Sequence, residues 1–131
     1  FKNKLVAKIL KRYRVFPVNR KERDVKSTLH AIECLNLENN SKLLIFPEGG
    51  IIKDSKEIRK KVKNGAVYIS AESGVEILPI FITRRPHIFQ KVYVIIGNSI
   101  NIPKEIKHDK EKIKEYSTKV INNIYDLEKI K

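Results

Sequence analysis

Residues 43–50 have the sequence Leu-Leu-Ile-Phe-Pro-Glu-Gly-Gly, a short apolar run that leads into a turn. Four consecutive apolar residues are typical of a strand buried on both faces, as in a parallel sheet. The proline and glycines predict a sharp turn, and open α/β folds place ligands at such carboxyl ends of strands. Glycine N–H groups can face an anion there. An ordinary strand-to-loop turn with an exposed Glu48 explains the local pattern equally well.

Strand and helix patterns alternate around this segment. Apolar runs at residues 77–82 and 92–96 predict two further strands, and Asn64 and Gly74 bound a predicted helix over residues 66–73. We expect one α/β domain over residues 1–131, with a mixed, mostly parallel sheet flanked by helices. The sequence predicts two more helices. Asp24 caps the first, whose apolar stripe is Val25, Leu29, Ile32 and Leu35. The His108–Asp109 pair caps the second, whose apolar stripe is Ile113, Tyr116, Val120, Ile124 and Leu127.

The positive charge is concentrated at the beginning of the chain. Of the formal net charge of +13, residues 1–26 contribute +8. Residues 1–14 have apolar residues at helical spacing among Lys and Arg, which predicts a basic amphipathic helix. Such a basic end favours contact with a polyanion, either a nucleic acid or an anionic membrane. The apolar positions are Phe1, Leu5, Val6, Ile9, Leu10 and Tyr13.

Cysteine and methionine usage sets further bounds. Cys34 is the single cysteine, so neither an internal disulfide nor a multi-cysteine metal site is possible, and we expect no metal. The chain begins at Phe1 and contains no methionine. We therefore expect a fragment or a processed product.

Four segments together resemble a known family. Residues 15–20 (Val-Phe-Pro-Val-Asn-Arg), 46–49 (Phe-Pro-Glu-Gly), 63–66 (Lys-Asn-Gly-Ala) and 77–80 (Ile-Leu-Pro-Ile) occur in this order. Their order and spacing resemble the 1-acylglycerol-3-phosphate acyltransferases, the PlsC-like glycerolipid acyltransferases. The first, second and fourth segments are similar to the second, third and fourth conserved blocks of that family.

Two parts of the family pattern are missing. The family's first block is His-x4-Asp, but none of His30, His87 and His108 has an aspartate five residues later. The resemblance therefore implies an N-terminally truncated domain with no catalytic residue in this chain, and we expect residues 1–131 alone to be inactive. The family usually continues Phe-Pro-Glu-Gly with Thr-Arg-Ser, whereas this chain continues with Gly50 and two isoleucines. Lys53 is a possible substitute for the missing arginine.

The resemblance implies acyl transfer in phospholipid biosynthesis. The donor would be an acyl thioester, acyl-CoA or acyl carrier protein, acting as co-substrate without a further cofactor. The acceptor would be the hydroxyl of 1-acylglycerol-3-phosphate (lysophosphatidic acid), deprotonated by the family's histidine as general base. Arg20 would bind the phosphate through its planar fork, and Glu48 would hold Arg20 or accept from a substrate hydroxyl. The N–H groups of Gly49 and Gly50 would face the phosphate. Lys63 would either help to bind the phosphate or be an ordinary surface lysine.

Two other classes remain open. One is a non-catalytic lipid-binding relative, which has the same residues in this range. The other is a basic nucleic-acid-binding domain. The sequence has no zinc motif, RNP-like stretch or Arg/Gly-rich tract, which argues against this class. We favour the acyltransferase, with an anionic membrane surface and no nucleic acid as partner, and a peripheral location on the cytoplasmic face of the cell membrane.

Overall fold

The chain divides into two units, Phe1–Ser41 and Lys42–Lys131, each described below by itself. The prediction of one domain over residues 1–131 stays a prediction. The computed structural model describes residues 4–12, 15, 25–37, 40–49, 62–83 and 89–130.

The first unit contains helices α1 (Lys4–Arg12) and α2 (Val25–Leu37). In α2 the buried side chains are Ala31 and Leu35, which lie one turn apart. The predicted stripe on this helix is therefore right for Leu35. It is wrong for Val25 and Leu29, which are exposed, because the covered face is centred on Ala31 and Leu35. The predicted cap Asp24 lies outside the described residues.

The second unit begins its regular structure with helix α3 (Gly65–Ser73). Gly74 ends the helix with a left-handed φ of 74°, and its N–H donates to the Ser70 carbonyl at 2.8 Å. This confirms the predicted C-terminal glycine. Asn64 precedes the helix but its side chain makes no capping hydrogen bond. Its φ of −85° and ψ of −6° are helical, whereas a capping side chain needs an extended backbone to reach the first turn.

The longest helix, α4 (Lys110–Asp126), lies between two 3-10 helices, Lys104–His108 and Leu127–Ile130. Asp109 caps α4: its carboxylate accepts from the backbone N–H groups of Glu111 and Lys112, both at 3.1 Å. This confirms the aspartate half of the predicted cap. The predicted stripe is buried at Ile113, Val120, Ile124 and Leu127 and half-buried at Tyr116.

The described strands, β1 (Ile80–Ile82) and β2 (Val94–Ile96), pair antiparallel, with Phe81 opposite Ile95. An isolated antiparallel bridge between Ile77 and Ile100 extends the pairing. The mixed helix and strand composition agrees with the prediction, but a mostly parallel sheet is not seen in the described parts of the chain. The antiparallel pairing continues toward the connection, where the Thr83 N–H donates to the Tyr93 carbonyl at 3.1 Å, so the two strands pair directly with each other as in a hairpin.

Residues 43–46, predicted to be a buried strand, are not in a strand. Leu44 and Phe46 are 74% and 66% exposed, while Leu43 and Ile45 are half-buried. Only one face of this segment, that of Leu43 and Ile45, is therefore partly covered by the protein. A strand needs a neighbouring strand to pair its backbone hydrogen bonds. Among the described residues, no strand pairs with residues 43–46.

The core of the second unit lies where α3, β1 and the first 3-10 helix pack against α4. It places the C-terminal part of α4 beside β1, and Gly97 of the strand region lies against Leu127. Within the described residues, no helix is both long enough and apolar enough to cross a membrane. The buried cluster consists of Val67, Ala71, Phe81, Ile102, Ile106, Ile113, Val120, Ile124 and Leu127.

Candidate functional site: the Pro-Glu-Gly turn

The Pro-Glu-Gly turn (residues 47–49) is closed by its own backbone. The Gly49 N–H donates to the Phe46 carbonyl at 3.1 Å, three residues back, as in a β-turn. Gly49 has a φ of +68°, a left-handed conformation that glycine adopts without steric cost. The backbone conformation of the turn therefore favours glycine at position 49, independently of any ligand.

Lys63 connects the turn to the start of α3. Its N–H donates to the Pro47 carbonyl at 3.3 Å. Its aliphatic stem lies so close to Gly49 that a Cβ added there would be 3.0 Å from Lys63 Cγ and 3.4 Å from Cε. Gly49 thus leaves room for the lysine as well as adopting the turn conformation. The structure places a cationic side chain against the glycine of the turn, two residues before the first residue of α3.

Glu48, the central residue of the turn, is half-buried and hydrogen-bonded to the end of α4. The Tyr125 hydroxyl donates to Glu48 Oε1 at 2.9 Å. The Tyr125 ring packs edge-on against Phe81 of β1, with 5.8 Å between the ring centroids and 72° between the planes. A core contact therefore holds the ring whose hydroxyl meets the carboxylate.

The surroundings of Tyr125 keep its hydroxyl protonated. Burial raises the pKa of Tyr125 well above its usual value, and the hydrogen bond to Glu48 and the negative charges of Glu48 and Glu128 raise it further. Tyr125 is consequently a neutral hydrogen-bond donor at any physiological pH. Glu48 receives a donor that does not cancel its charge.

Of the predicted site residues, the structure brings Glu48, Gly49 and Lys63 together. Arg20 and Gly50 lie outside the described residues, so their predicted roles stay predictions. Sequence reasoning missed Tyr125, although it follows the predicted stripe residue Ile124 directly. The available signal was its position at the edge of an apolar helical face, since a partly buried tyrosine hydroxyl usually has a hydrogen-bond partner.

The described histidines are His30 on α2 and His108 before α4. His30 Nε2 lies 3.6 Å from Cys34 Sγ, and His30 Nδ1 lies 4.0 Å from Glu33 Oε2. His30 and Glu33 are exposed, and Cys34 is half-buried. His108 is exposed, and the neighbouring Asp109 carboxylate caps α4. Within the described residues, no three His, Cys, Asp or Glu side chains are grouped as a metal site.

The comparisons with known proteins identify the family. The family model described as Acyltransferase matches residues 1–83, which include the Pro-Glu-Gly turn, Lys63, helix α3 and strand β1. No curated protein and no solved structure matches the chain. Because the family model covers more than half of the 131 residues, the chain belongs to the acyltransferase family.

Proposed function

We propose that this chain forms the acceptor-binding part of an enzyme that acylates 1-acylglycerol-3-phosphate in phospholipid biosynthesis. The acyl donor is a thioester, acyl-CoA or acyl carrier protein, and no further cofactor is needed. The observation that carries the proposal is the Pro-Glu-Gly turn, in which Lys63 packs against Gly49 and Glu48 is held by Tyr125. Family membership supports acyl transfer in general, and the acceptor and donor are our proposal.

The turn offers an anionic acceptor two kinds of contact. Lys63 supplies a positive charge beside the start of α3, where backbone N–H groups and the helix dipole also favour a phosphate. Arg20 adds a planar fork that matches two phosphate oxygens. The Gly50 N–H completes the phosphate contacts in our proposal. The Gly49 N–H was also predicted to do so, but it already donates to the Phe46 carbonyl within the turn. Glu48 repels a phosphate, so we assign it to the acceptor hydroxyl or to Arg20.

The reaction follows from these assignments. The acceptor hydroxyl oxygen attacks the thioester carbonyl, its proton passes to a general base, and the carbon–sulfur bond breaks to release the thiol. An alcohol needs such a base because it is a weak nucleophile while it keeps its proton. The family resemblance places the base on a His-x4-Asp motif, which this sequence does not contain. We therefore assign residues 1–131 to binding and alignment.

We also propose that the protein is peripheral on the cytoplasmic face of the cell membrane, where its lipid acceptor resides. Helix α1 supports this proposal. It exposes the basic residues Lys8 and Arg12 together with the apolar residues Val6 and Ile9, which are 44% and 52% exposed. A helix that presents both kinds of side chain suits the interface of an anionic bilayer.

The proposal is tested by replacing Arg20 with alanine in the full-length protein. Thioester release is measured with lysophosphatidic acid and with a monoacylglycerol that has no phosphate. Losing a charge-assisted fork removes about 1.5–3 kcal/mol, so kcat/KM for lysophosphatidic acid should fall by about tenfold to a hundredfold. The donor KM and the rate with monoacylglycerol should stay close to those of the wild type.

Lys110→Ala is the matched control, because it removes an exposed cation at the start of α4, outside the turn. It should leave the kinetics unchanged. An Arg20→Ala protein with unaltered acceptor KM and kcat/KM would remove Arg20 from the site. A wild-type protein that acylates monoacylglycerol as well as lysophosphatidic acid would overturn the assignment of a phosphate acceptor.

A further inference from the structure

The hydrogen bond between Tyr125 and Glu48 joins two parts of the chain that are far apart in sequence. Glu48 lies within residues 1–83, the range that the family model matches, and Tyr125 lies outside it. The contact therefore connects the family's turn to a helix that is not part of the matched region. The question is whether this helix only covers the core or also acts on the site.

The two partners differ in how firmly their surroundings hold them. Glu48 is half-buried in a turn outside any helix or strand, directly before Gly49, whose backbone is left-handed. Tyr125 is on α4, between the buried residues Ile124 and Leu127, and its ring contacts Phe81. The hydroxyl position is thus set by the core, and the carboxylate is aligned by the hydroxyl.

The chemistry of the contact suits alignment of a functional carboxylate. A carboxylate has two oxygens and about four acceptor positions, and Tyr125 donates to Oε1. The carboxylate keeps its charge because a phenol is a neutral donor. Its remaining acceptor positions keep the capacity to receive a substrate hydroxyl or an arginine.

We propose that Tyr125 is a positioning residue of the acceptor site, through which α4 orients Glu48 toward the acceptor. This inference rests on the proposed function, since it assigns a role within the same turn. Tyr125 acts through Glu48 and does not itself touch the acceptor. The region of the chain after residue 83 then contributes to acceptor use as well as to the core.

The test is Tyr125→Phe in the full-length protein, which keeps the ring and its contact with Phe81 and removes only the hydroxyl. We expect kcat/KM for lysophosphatidic acid to fall about tenfold, the usual scale for one hydrogen bond to a charged group. The donor KM should stay within about twofold of the wild-type value. The melting temperature is measured for each protein, so that a general loss of folding is recognised.

Tyr116→Phe is the matched control, because Tyr116 is a half-buried tyrosine on the same helix whose ring lies 5.6 Å from Lys119 Nζ. It should leave both kinetic constants unchanged. A second arm introduces Tyr125→Phe into a Glu48→Ala protein, where the same tyrosine change should have a smaller effect, because no side-chain acceptor is left at position 48. Equal effects in both backgrounds would overturn the inference.

The remaining outcomes separate this inference from the proposed function. If the wild type acylates lysophosphatidic acid and Tyr125→Phe does so equally well, the positioning role is wrong and the function stands. If Tyr125→Phe lowers donor and acceptor use alike together with the melting temperature, Tyr125 is structural only and the inference fails. If the wild type itself does not use lysophosphatidic acid, the proposed function fails and this inference fails with it.

Discussion

Glu48 is a half-buried acidic residue whose hydrogen-bond donor, Tyr125, is a neutral side chain. A carboxylate removed from water needs hydrogen-bond donors. Tyr125 donates at 2.9 Å without bringing a positive charge. The pairing of a glutamate with a tyrosine is therefore suited to a residue that has to act as an acceptor.

The raised pKa of Tyr125 predicts a pH dependence of folding stability. The folded chain holds the tyrosine proton more tightly than the unfolded chain, whose tyrosine titrates near its usual pKa of about 10. The resulting stabilisation is fully present below about pH 10 and is lost as the pH rises above it. In urea unfolding, the free-energy difference between wild type and Tyr125→Phe should therefore shrink from about pH 9 to about pH 11.5.

Lysine titration in the same range affects both proteins and cancels in this comparison. A free-energy difference that stays constant across the range would show that the folded chain does not raise the pKa of Tyr125.

Helix α4 contacts both the core of the second unit and the Pro-Glu-Gly turn. Its buried residues pack against α3 and β1, and Tyr125 near its C-terminal end reaches the Pro-Glu-Gly turn. The helix starts at Asp109, whose carboxylate accepts two backbone hydrogen bonds. This satisfies two of the N–H groups that every helix start leaves without an internal partner.

We expect Asp109→Ala to lower the free energy of unfolding by about 1 kcal/mol, because it removes this cap. Chemical denaturation followed by circular dichroism measures the change. Glu115→Ala is the control: it removes an exposed carboxylate from the middle of the same helix and should change stability by less than about 0.5 kcal/mol. Equal effects of the two variants would show that general charge, rather than capping, accounts for the loss.

At the scale of the whole molecule, charge is distributed unequally between the ends. Residues 1–26 carry +8 of the net +13, and α1 exposes apolar side chains among its basic ones. A solvated helix needs no exposed apolar residues, whereas an interfacial helix uses them to enter the lipid headgroup region. This combination underlies the proposal that the chain contacts an anionic membrane.

Vesicle co-sedimentation tests the membrane contact. The chain should bind vesicles containing anionic lipid, and binding should weaken as salt rises. Changing Lys8, Lys11 and Arg12 together to glutamine should reduce binding sharply, since each basic residue near the surface contributes about 1 kcal/mol.

The matched control is a triple glutamine change at Lys112, Lys114 and Lys119, which removes the same charge from exposed positions of α4. If both triple variants lose binding equally, net charge alone explains the attraction. If the α1 variant sediments like the parent, the membrane contact lies elsewhere in the chain.

The sequence alone was sufficient for the features that depend on neighbouring residues. Gly74 ends α3 because glycine tolerates a left-handed φ, Asp109 starts α4 because its side chain reaches N–H groups two and three residues later, and the apolar spacing of α4 marks its buried face. The turn at residues 47–49 also followed from its proline and glycine. Each of these is a local interaction, within about four residues.

The tertiary structure decided how distant segments pair. An apolar run has the same composition whether its neighbour is parallel, antiparallel or absent, so residues 43–46 were expected in a sheet that the described structure does not contain. β1 and β2 pair antiparallel, and the apolar pattern within each strand does not determine that direction. Tyr125 and Glu48 are 77 positions apart, and only the packing of α4 against β1 brings the hydroxyl to the carboxylate. No local sequence pattern indicates a contact between two residues so far apart in the chain.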